Sequence, residues 1–466
     1  MSDLGNIQSL VKALEAGGYN AAPSTLTQGS ALMIEDLSPV MQNVTYDNSH
    51  IKLQKMLNVD SCKSTLAQFD RQLSYGIFGG SAQLEGAVGQ EETSEFVRVV
   101  VPMAYYSHTR RVTLVANLVA TVDGKKAEER AAEDAAKKLA GDIEFDAFRG
   151  KADFSNAGVF DGNPLLIPGI PNILGVEPQI RQSDAQRNAQ DQMFGEFGSD
   201  DTVVIPGGGT LSQEMVEDAS VRSAMNLGSA DKLIVDPKVL SAYNKITLAK
   251  ERIILAGSPQ DATGGELRRQ WTSTGTVNVE SSRFLSGKTR PATARSNGPG
   301  STSSAVGTAS GSGTGLSAGR YRYLVTAVSE LGEGSGVVVV DGSANAYVDV
   351  TAGQQVAIVI AAVTGAKAYN VFRSAAGGTA ASVKFIGRVL ASGTTTFTDL
   401  GNKRPGFVTG FLIDSSTMSL KELAPYSRVK LAQTDLSTPE AHFRFLSLAV
   451  MQPRKNVLID NLVGSF

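Results

Sequence analysis

The sequence predicts an α+β protein that also carries an all-β unit towards its C-terminal end, and three observations support this. Residues 124–149 have the composition of one long helix, with an alanine recurring every four positions. Residues 96–106 and 443–450 are rich in β-branched and aromatic side chains, which favour strands. Residues 321–412 contain seven short strand-like runs separated by turn residues, which is typical of a sandwich of two sheets.

The overall composition excludes several classes of protein. A chain of 466 residues has room for two to four domains, and with 19% charged residues it is not a highly charged disordered chain. The formal net charge of −3 gives no global attraction to nucleic acid or to an anionic membrane. The single cysteine, Cys62, excludes an intrachain disulfide and indicates folding in a reducing cytosol. We also expect no membrane span, since no apolar run approaches the roughly 18 residues required.

Residues 1–63 are interpreted as an N-terminal arm. Ile7, Leu10 and Leu14 have the spacing of one face of an amphipathic helix. The segment lacks the basic flank and apolar core of a signal peptide. Two interpretations stay open: the helix packs on its own domain, or it docks on another subunit.

Residues 64–113 are interpreted as a long hairpin. Two strand-like runs flank a glycine-rich stretch at 76–89. Because an isolated two-stranded hairpin is only marginally stable in water, we expect a neighbouring subunit to cover it. The side chains expected at this subunit interface, together with Ile7, Leu10 and Leu14 of the arm, are Phe69, Leu73, Tyr75, Phe78 and Phe96.

The middle of the chain is divided at 160. Residues 114–160 contain the long helix, whose lysines follow acids at i+4 on a solvated face. Residues 161–295 begin with a connection broken by prolines and continue as an α/β region. In this region Lys232–Val235 is predicted as a buried strand, and Thr210 as the N-cap of a helix that starts at Leu211.

The composition changes again at 296. Residues 296–315 carry no charge and are dominated by Gly, Ser and Thr, which indicates a flexible linker. Residues 316–413 form the predicted all-β unit. Residues 414–466 are too few for a core of their own, so they are expected to return to the domain that the chain left before the linker.

No catalytic or cofactor-binding constellation emerges. The three histidines have no metal-ligand spacing and are interpreted as structural or surface residues: His50, His108 and His442. The run Gly287-Lys288-Thr289 lacks the first glycine of a phosphate-binding loop, because Ser282 stands there. The glycines at 207–209 precede a helix but lack the third glycine of a dinucleotide site. We therefore expect no catalytic residue, no metal ligand and no cofactor.

The order of parts resembles that of the major capsid proteins of tailed double-stranded DNA phages, which share the Hong Kong 97-type fold. In that family an N-terminal arm precedes an extended hairpin called the E-loop, a peripheral P domain with a spine helix, and an axial A domain. Here residues 64–113 match the E-loop and 124–149 match the spine helix. Residues 202–279 match the A domain, and the strands within 443–460 match the closing strands of the P domain.

The predicted all-β unit is similar to fibronectin type III and immunoglobulin-like domains. Residues 319–328 read GRYRYLVTAV, residues 369–374 read YNVFRS and residues 396–401 read TFTDLG, as three strands of those domains do. Such domains are often inserted in the capsid and tail proteins of phages, so the resemblance implies an inserted immunoglobulin-like domain.

Together the resemblances imply a non-enzymatic major capsid protein. It would form the pentamers and hexamers of an icosahedral shell around phage double-stranded DNA, without sequence-specific binding. Portal and scaffolding or decoration proteins would be its partners, and it would assemble in the host cytoplasm and remain in the virion. Two alternatives stay open. One is a tail or baseplate protein with an immunoglobulin-like module; the other is a glycan-acting enzyme with a carbohydrate-binding module, which needs paired carboxylates.

Overall fold

The computed structural model describes residues 45–76, 81–89, 91–118, 126–150, 172–181, 203–204, 209–248, 269–286, 298–311, 315–329, 331–433 and 435–464. The predicted amphipathic helix at Ile7, Leu10 and Leu14 lies outside these residues. So do the run at 287–289 and most of the proline-broken connection.

The helices and the first strands precede the all-β unit. The helices are α1 (Leu53–Met56), α2 (Leu114–Leu118), α3 (Ala127–Arg149), α4 (Val176–Arg181), α5 (Gln213–Met225) and α6 (Pro237–Leu248). The strands are β1 (Asn58–Ser61), β2 (Leu66–Ser74), β3 (Glu95–Pro102), β4 (Ala104–Thr113), β5 (Val203–Val204), β6 (Lys232–Val235), β7 (Arg269–Thr272) and β8 (Gly275–Ser281).

The remaining strands belong to the all-β unit or follow it. The first group is β9 (Ala305–Ser310), β10 (Gly319–Tyr321), β11 (Tyr323–Ser329), β12 (Gly332–Glu333), β13 (Val337–Val338), β14 (Val348–Val350), β15 (Gln355–Ile360), β16 (Ala368–Arg373), β17 (Lys384–Leu390) and β18 (Thr395–Asp399). The second group is β19 (Val408–Ile413), β20 (Met418–Lys430), β21 (Ser437–Val450) and β22 (Val457–Leu462).

The long helix α3 packs on a four-stranded sheet of order β1-β20-β21-β4. Ala135, Leu139, Ile143 and Ala147 follow one another at four-residue intervals and are all buried, so they form the face that contacts the sheet. Acidic residues in the first turn and Arg149 in the last turn match the helix dipole. The helix predicted at 124–149 is thus confirmed over the part of the chain that the structure describes.

A second, six-stranded sheet has the order β5-β22-β19-β6-β8-β7, and α5 packs against it. The predicted strand Lys232–Val235 is confirmed as β6. The predicted start of α5 is wrong by two residues. Ser212 is the N-cap, because its side chain accepts a hydrogen bond from the main-chain nitrogen of Met215, while Leu211 is buried in the core below.

Two predicted boundaries of this part of the chain are wrong. The hairpin ends at Pro102 rather than at 113, because β4 leaves β2 and pairs with β21 in the four-stranded sheet. Residues 414–466 were predicted to return to a single domain, but their strands are divided between the two sheets. Strands β20 and β21 lie in the four-stranded sheet, whereas β22 pairs with β19 and β5 in the six-stranded sheet.

The all-β unit has sheets of order β12-β11-β16-β17 and β18-β15-β9 that share one hydrophobic core, together with the pair β10-β14. Each of the seven predicted strand-like runs overlaps an observed strand. The sheets are also joined by polar contacts: Asp399 Oδ2 accepts from the Tyr323 hydroxyl at 2.9 Å and pairs with Arg373 Nη1 at 2.6 Å.

Both ends of this unit differ from the prediction. The predicted linker contains β9, which pairs with β15 because its small residues fit the core; a Cβ at Gly307 would lie 2.9 Å from Val348. At the other end, β19 is not part of the unit but a central strand of the six-stranded sheet, between β22 and β6. The unit therefore runs from β9 to β18.

Candidate assembly surface on the hairpin

The hairpin formed by β2 and β3 has two different faces. The strands pair antiparallel with each other and, among the described residues, with no further strand, in a register that places Ala67 opposite Val101 and Phe69 opposite Val99. These residues alternate with exposed ones, such as Gln68 and Val100, as side chains on a strand do. One face is thus partly covered and the other faces water.

The covered face attaches the hairpin to the rest of the chain. At its base Ala67 and Val101 are buried. Farther along, Arg71 donates from Nε to the carbonyl of Met451 at 2.6 Å and from Nη2 to the carbonyl of Val450 at 2.7 Å. Burial lowers the pKa of Arg71, but far from enough to neutralise a guanidinium at neutral pH.

The open face combines one ion pair with apolar side chains. Arg98 donates to Asp70 across the strands at 2.8 Å and 3.2 Å, and the hydrogen bond from Arg98 holds the pKa of the Asp70 carboxyl below its usual range. On either side of this pair, Leu66, Val100 and Phe96 are exposed. The ion pair fixes the register, while the apolar side chains have no cover on this face.

The tip of the hairpin exposes large apolar side chains almost completely. The exposed fraction is 76% for Tyr75, 86% for Leu84 and 93% for Val88. Gly76, where the chain leaves β2, has φ +125°, and a Cβ there would clash with Glu92, so the turn requires glycine. A folded protein gains nothing from such side chains unless something else covers them.

The predicted interface residues fall into three groups. Tyr75 and Phe96 are exposed, and Phe69 is half-buried with the Arg71 guanidinium 5.2 Å from its ring centroid. The side chain of Leu73, the whole of Phe78 and the three arm residues lie outside the described residues. Four further exposed apolar residues of the hairpin were not among the predicted ones: Leu66, Leu84, Val88 and Val100. The alternation of apolar and polar residues along β3 indicated Val100, but nothing local indicated the two tip residues.

Few of the residues considered for chemistry come together in the part of the chain that the structure describes. Cys62 is half-buried, with its Sγ 3.4 Å from the carbonyl oxygen of Ser64. Among the described residues, no group of three His, Cys, Asp or Glu side chains is placed to hold a metal ion. Within the same residues, no helix has the length and apolar character required to cross a membrane. The fold does, however, make His108 on β4 and His442 on β21 register partners on neighbouring strands.

Helix α3 is joined to its surroundings by two carboxyl groups, of which Glu144 is buried and Asp146 is half-buried. Glu144 accepts hydrogen bonds from the main-chain nitrogens of Lys52, Leu53 and Gln54 at 2.6–3.1 Å. Burial nevertheless raises its pKa. Asp146 accepts from the Tyr106 hydroxyl at 2.7 Å, and burial raises the pKa of Asp146 to about 7.

Comparisons with known proteins find matches only at the level of structure. No protein-family model and no curated protein matches the sequence. The capsid of a native GTA particle matches with a TM-score of 0.47 at 12% identity, over 96% of this chain and 100% of that chain. The capsid of Myoviridae phage XM1 matches with a TM-score of 0.44 at 10% identity, over 96% and 100%. The holo-SrpI encapsulin complex from Synechococcus elongatus PCC 7942 matches with a TM-score of 0.40 at 7% identity, over 92% and 93%.

Proposed function

We propose that this chain is a shell-forming subunit, the major capsid protein of a tailed double-stranded DNA phage. The observation that carries the proposal is the hairpin, which pairs with no further strand in the part of the chain that the structure describes and exposes apolar side chains on its open face and at its tip. Phe96, Leu84 and Val88 gain burial only when another molecule covers them. A shell of identical subunits supplies that cover, because each hairpin lies on the next copy.

The order of elements supports the same proposal. The hairpin is followed by the long helix α3 on a four-stranded sheet, then by the six-stranded sheet, and the chain ends in strands of both sheets. This order is the one that the resemblance to Hong Kong 97-type capsid proteins implies. In these terms the four-stranded sheet with α3 is the P domain, the hairpin is the E-loop and the six-stranded sheet is the A domain.

The proposal extends to the assembly and its partners. The subunits form pentamers and hexamers of an icosahedral shell that encloses double-stranded DNA. The near-neutral net charge of −3 suits a lining that does not trap the phosphate backbone. Portal and scaffolding or decoration proteins complete the particle, and assembly takes place in the host cytoplasm. The all-β unit is an inserted immunoglobulin-like domain on the outside of the shell.

Shortening the hairpin tests the proposal. Residues 77–89 are replaced by a short glycine–serine turn, which removes Leu84 and Val88 and keeps the strand pairing and the Arg71 contacts. We expect a folded protein with unchanged circular dichroism that no longer forms shells. A matched control, Gln83→Ser, alters an exposed polar tip residue and assembles normally. Normal shells from the shortened chain would contradict the proposal.

A further inference from the structure

Two histidines lie face to face between helix α3 and the four-stranded sheet. His108 on β4 is the register partner of His442 on β21, and their ring centroids are 5.8 Å apart. Each shares its side of the sheet with a core residue on the same strand, Ala104 on β4 and Leu446 on β21, and both of these belong to the core under α3. His442 is completely buried.

The ring nitrogens of this pair are poorly supplied with partners. Among the described residues, both nitrogens of His108 and Nε2 of His442 are buried without a hydrogen bond, and the Glu440 carboxylate lies 3.9 Å from Nε2 of His442. Nδ1 of His442 lies 3.0 Å from the Tyr426 hydroxyl. A protonated imidazole carries two N–H donors. Protonation of His108 would therefore add a charge and a donor without an acceptor, and protonation of His442 would add a buried charge whose nearest carboxylate, Glu440, lies beyond hydrogen-bond distance.

The charged groups around the pair act in both directions, because Glu440 and Asp142 raise the pKa of His442 and His108 respectively, whereas the nearby cations lower it. The cations that face it from the three packed elements are Arg110 on β4, Arg428 on β20 and Lys138 on α3, and the acids are Glu440 on β21 and Asp142 on α3. Both acids are already engaged: Glu440 pairs with Arg428 at 2.6 Å, and Asp142 with Lys138 at 2.6 Å. Desolvation and the cations lower the pKa of both histidines.

The position of the pair links it to one part of the helix. The Tyr426 hydroxyl that touches His442 also lies 3.5 Å from the carbonyl of Ala132, and Lys138 lies within electrostatic reach of His108. We propose that His108 and His442 form an acid-labile joint, and that protonation of either ring releases the N-terminal half of α3 from the sheet. The joint is a property of the fold and does not depend on the proposed function.

The sign of the pH dependence follows from the direction of the shift. A histidine whose pKa is lower in the folded chain than in the unfolded chain binds a proton more readily when the chain is unfolded. It therefore destabilises the fold only at pH values at which the unfolded form is protonated. The contribution is absent above the ordinary histidine value of about 6.5 and grows as the pH falls below it. Asp146, in the same interface, acts in the opposite direction because its pKa is raised. The test therefore compares variants that all keep Asp146.

Amide hydrogen exchange of the full chain at pH 7.5 and pH 5.5, divided by the intrinsic exchange rates, tests the joint. Relative to the double variant His108→Gln/His442→Gln, we expect peptides from residues 127–140 of the wild type to lose protection between pH 7.5 and pH 5.5 by about tenfold or more, the factor that corresponds to one pKa unit. His50→Gln, which alters the exposed third histidine, keeps this difference from the double variant. The same change of protection in the wild type and in the double variant would overturn the proposal.

A second measurement uses only the wild-type chain, in case the double variant does not fold. The rate of exchange of the histidine C2 proton, monitored by mass spectrometry across a pH series, gives the pKa of each facing ring. The measurement works whether or not the protein has assembled into particles. We expect both facing rings to titrate below the ordinary histidine value of about 6.5. Titration of His108 and His442 at or above that value would equally overturn the joint.

Discussion

Arg71 donates from its Nε to the main-chain carbonyl of Met451 at 2.6 Å, although the two residues are 380 positions apart in the chain. The contact joins the hairpin to the end of β21, beyond the few buried residues at the hairpin base. A hairpin that is fixed at its base and uncovered along its open face has a defined direction, which is what contact with a second subunit requires.

Replacing Arg71 tests how the hairpin is held. Arg71→Ala leaves the carbonyls of Val450 and Met451 without their donor, and we expect the free energy of unfolding to fall by about 1.5–3 kcal/mol. Hydrogen exchange in β2 and β3 should rise more than in the six-stranded sheet. Arg71→Lys keeps the charge and a single donor nitrogen, so its free energy of unfolding should lie between those of Arg71→Ala and the wild type. Equal protection of the hairpin in Arg71→Ala and wild type would show that the contact does not hold it.

Glu144 fixes the segment that precedes β1. Three main-chain nitrogens donate to its carboxylate, so Glu144→Ala leaves one buried and two partly buried donors without this acceptor. We expect trypsin to cleave after Lys52 and Lys55 at least about tenfold faster, since each lost partner is worth about 1–3 kcal/mol. Glu144→Gln retains one acceptor oxygen and should be intermediate. Unchanged cleavage rates in Glu144→Ala would contradict this role.

Asp146 makes stability depend on pH in a defined direction. Its pKa is about 7 in the folded chain against 3.8 ordinarily, so ionisation costs stability as the pH rises between these values. Asp146→Asn can still accept from Tyr106 and carries no charge. We expect it to be more stable than wild type at pH 8, by up to about 4 kcal/mol, and about equal at pH 4. Denaturant unfolding at both pH values measures this, and a difference independent of pH would contradict it.

Helix α3 and the strands of the all-β unit could be predicted because their signals are local. The alanine spacing and the charge order of residues 127–149 predict one helix whatever the neighbours are. The strand β19 was assigned to the wrong unit because all six of its residues are buried, and a continuous apolar run fits the core of either unit. The strand β9 was missed because small uncharged residues suit a linker as well as a tightly packed strand.

The candidate surfaces were predictable only in part. The hairpin followed from two strand-like runs around glycines, and two of the residues predicted for a subunit interface, Tyr75 and Phe96, are exposed. The contact of Arg71 with Met451 and the pairing of His108 with His442 join distant parts of the chain. Such contacts are set by the order of strands in the sheet, which local periodicity does not determine.

The limits of the all-β unit can be tested by two deletions. Replacing residues 301–402 with a short glycine–serine linker keeps β19, which pairs with both β22 and β6, so the rest should fold. Removing residues 316–413 takes β19 away and should give insoluble or unfolded protein. Circular dichroism and thermal unfolding distinguish the two. A folded product from the second deletion would show that β19 is not essential to the six-stranded sheet.

The size of the particles that the purified chain forms is the most direct test of the central claim, that this protein builds a shell. Electron microscopy of negatively stained protein, with mass photometry on the same sample, gives that size. We predict closed, roughly spherical particles together with rings of five and six subunits. A monodisperse monomer or small oligomer, under conditions in which the hairpin is intact, would contradict the account.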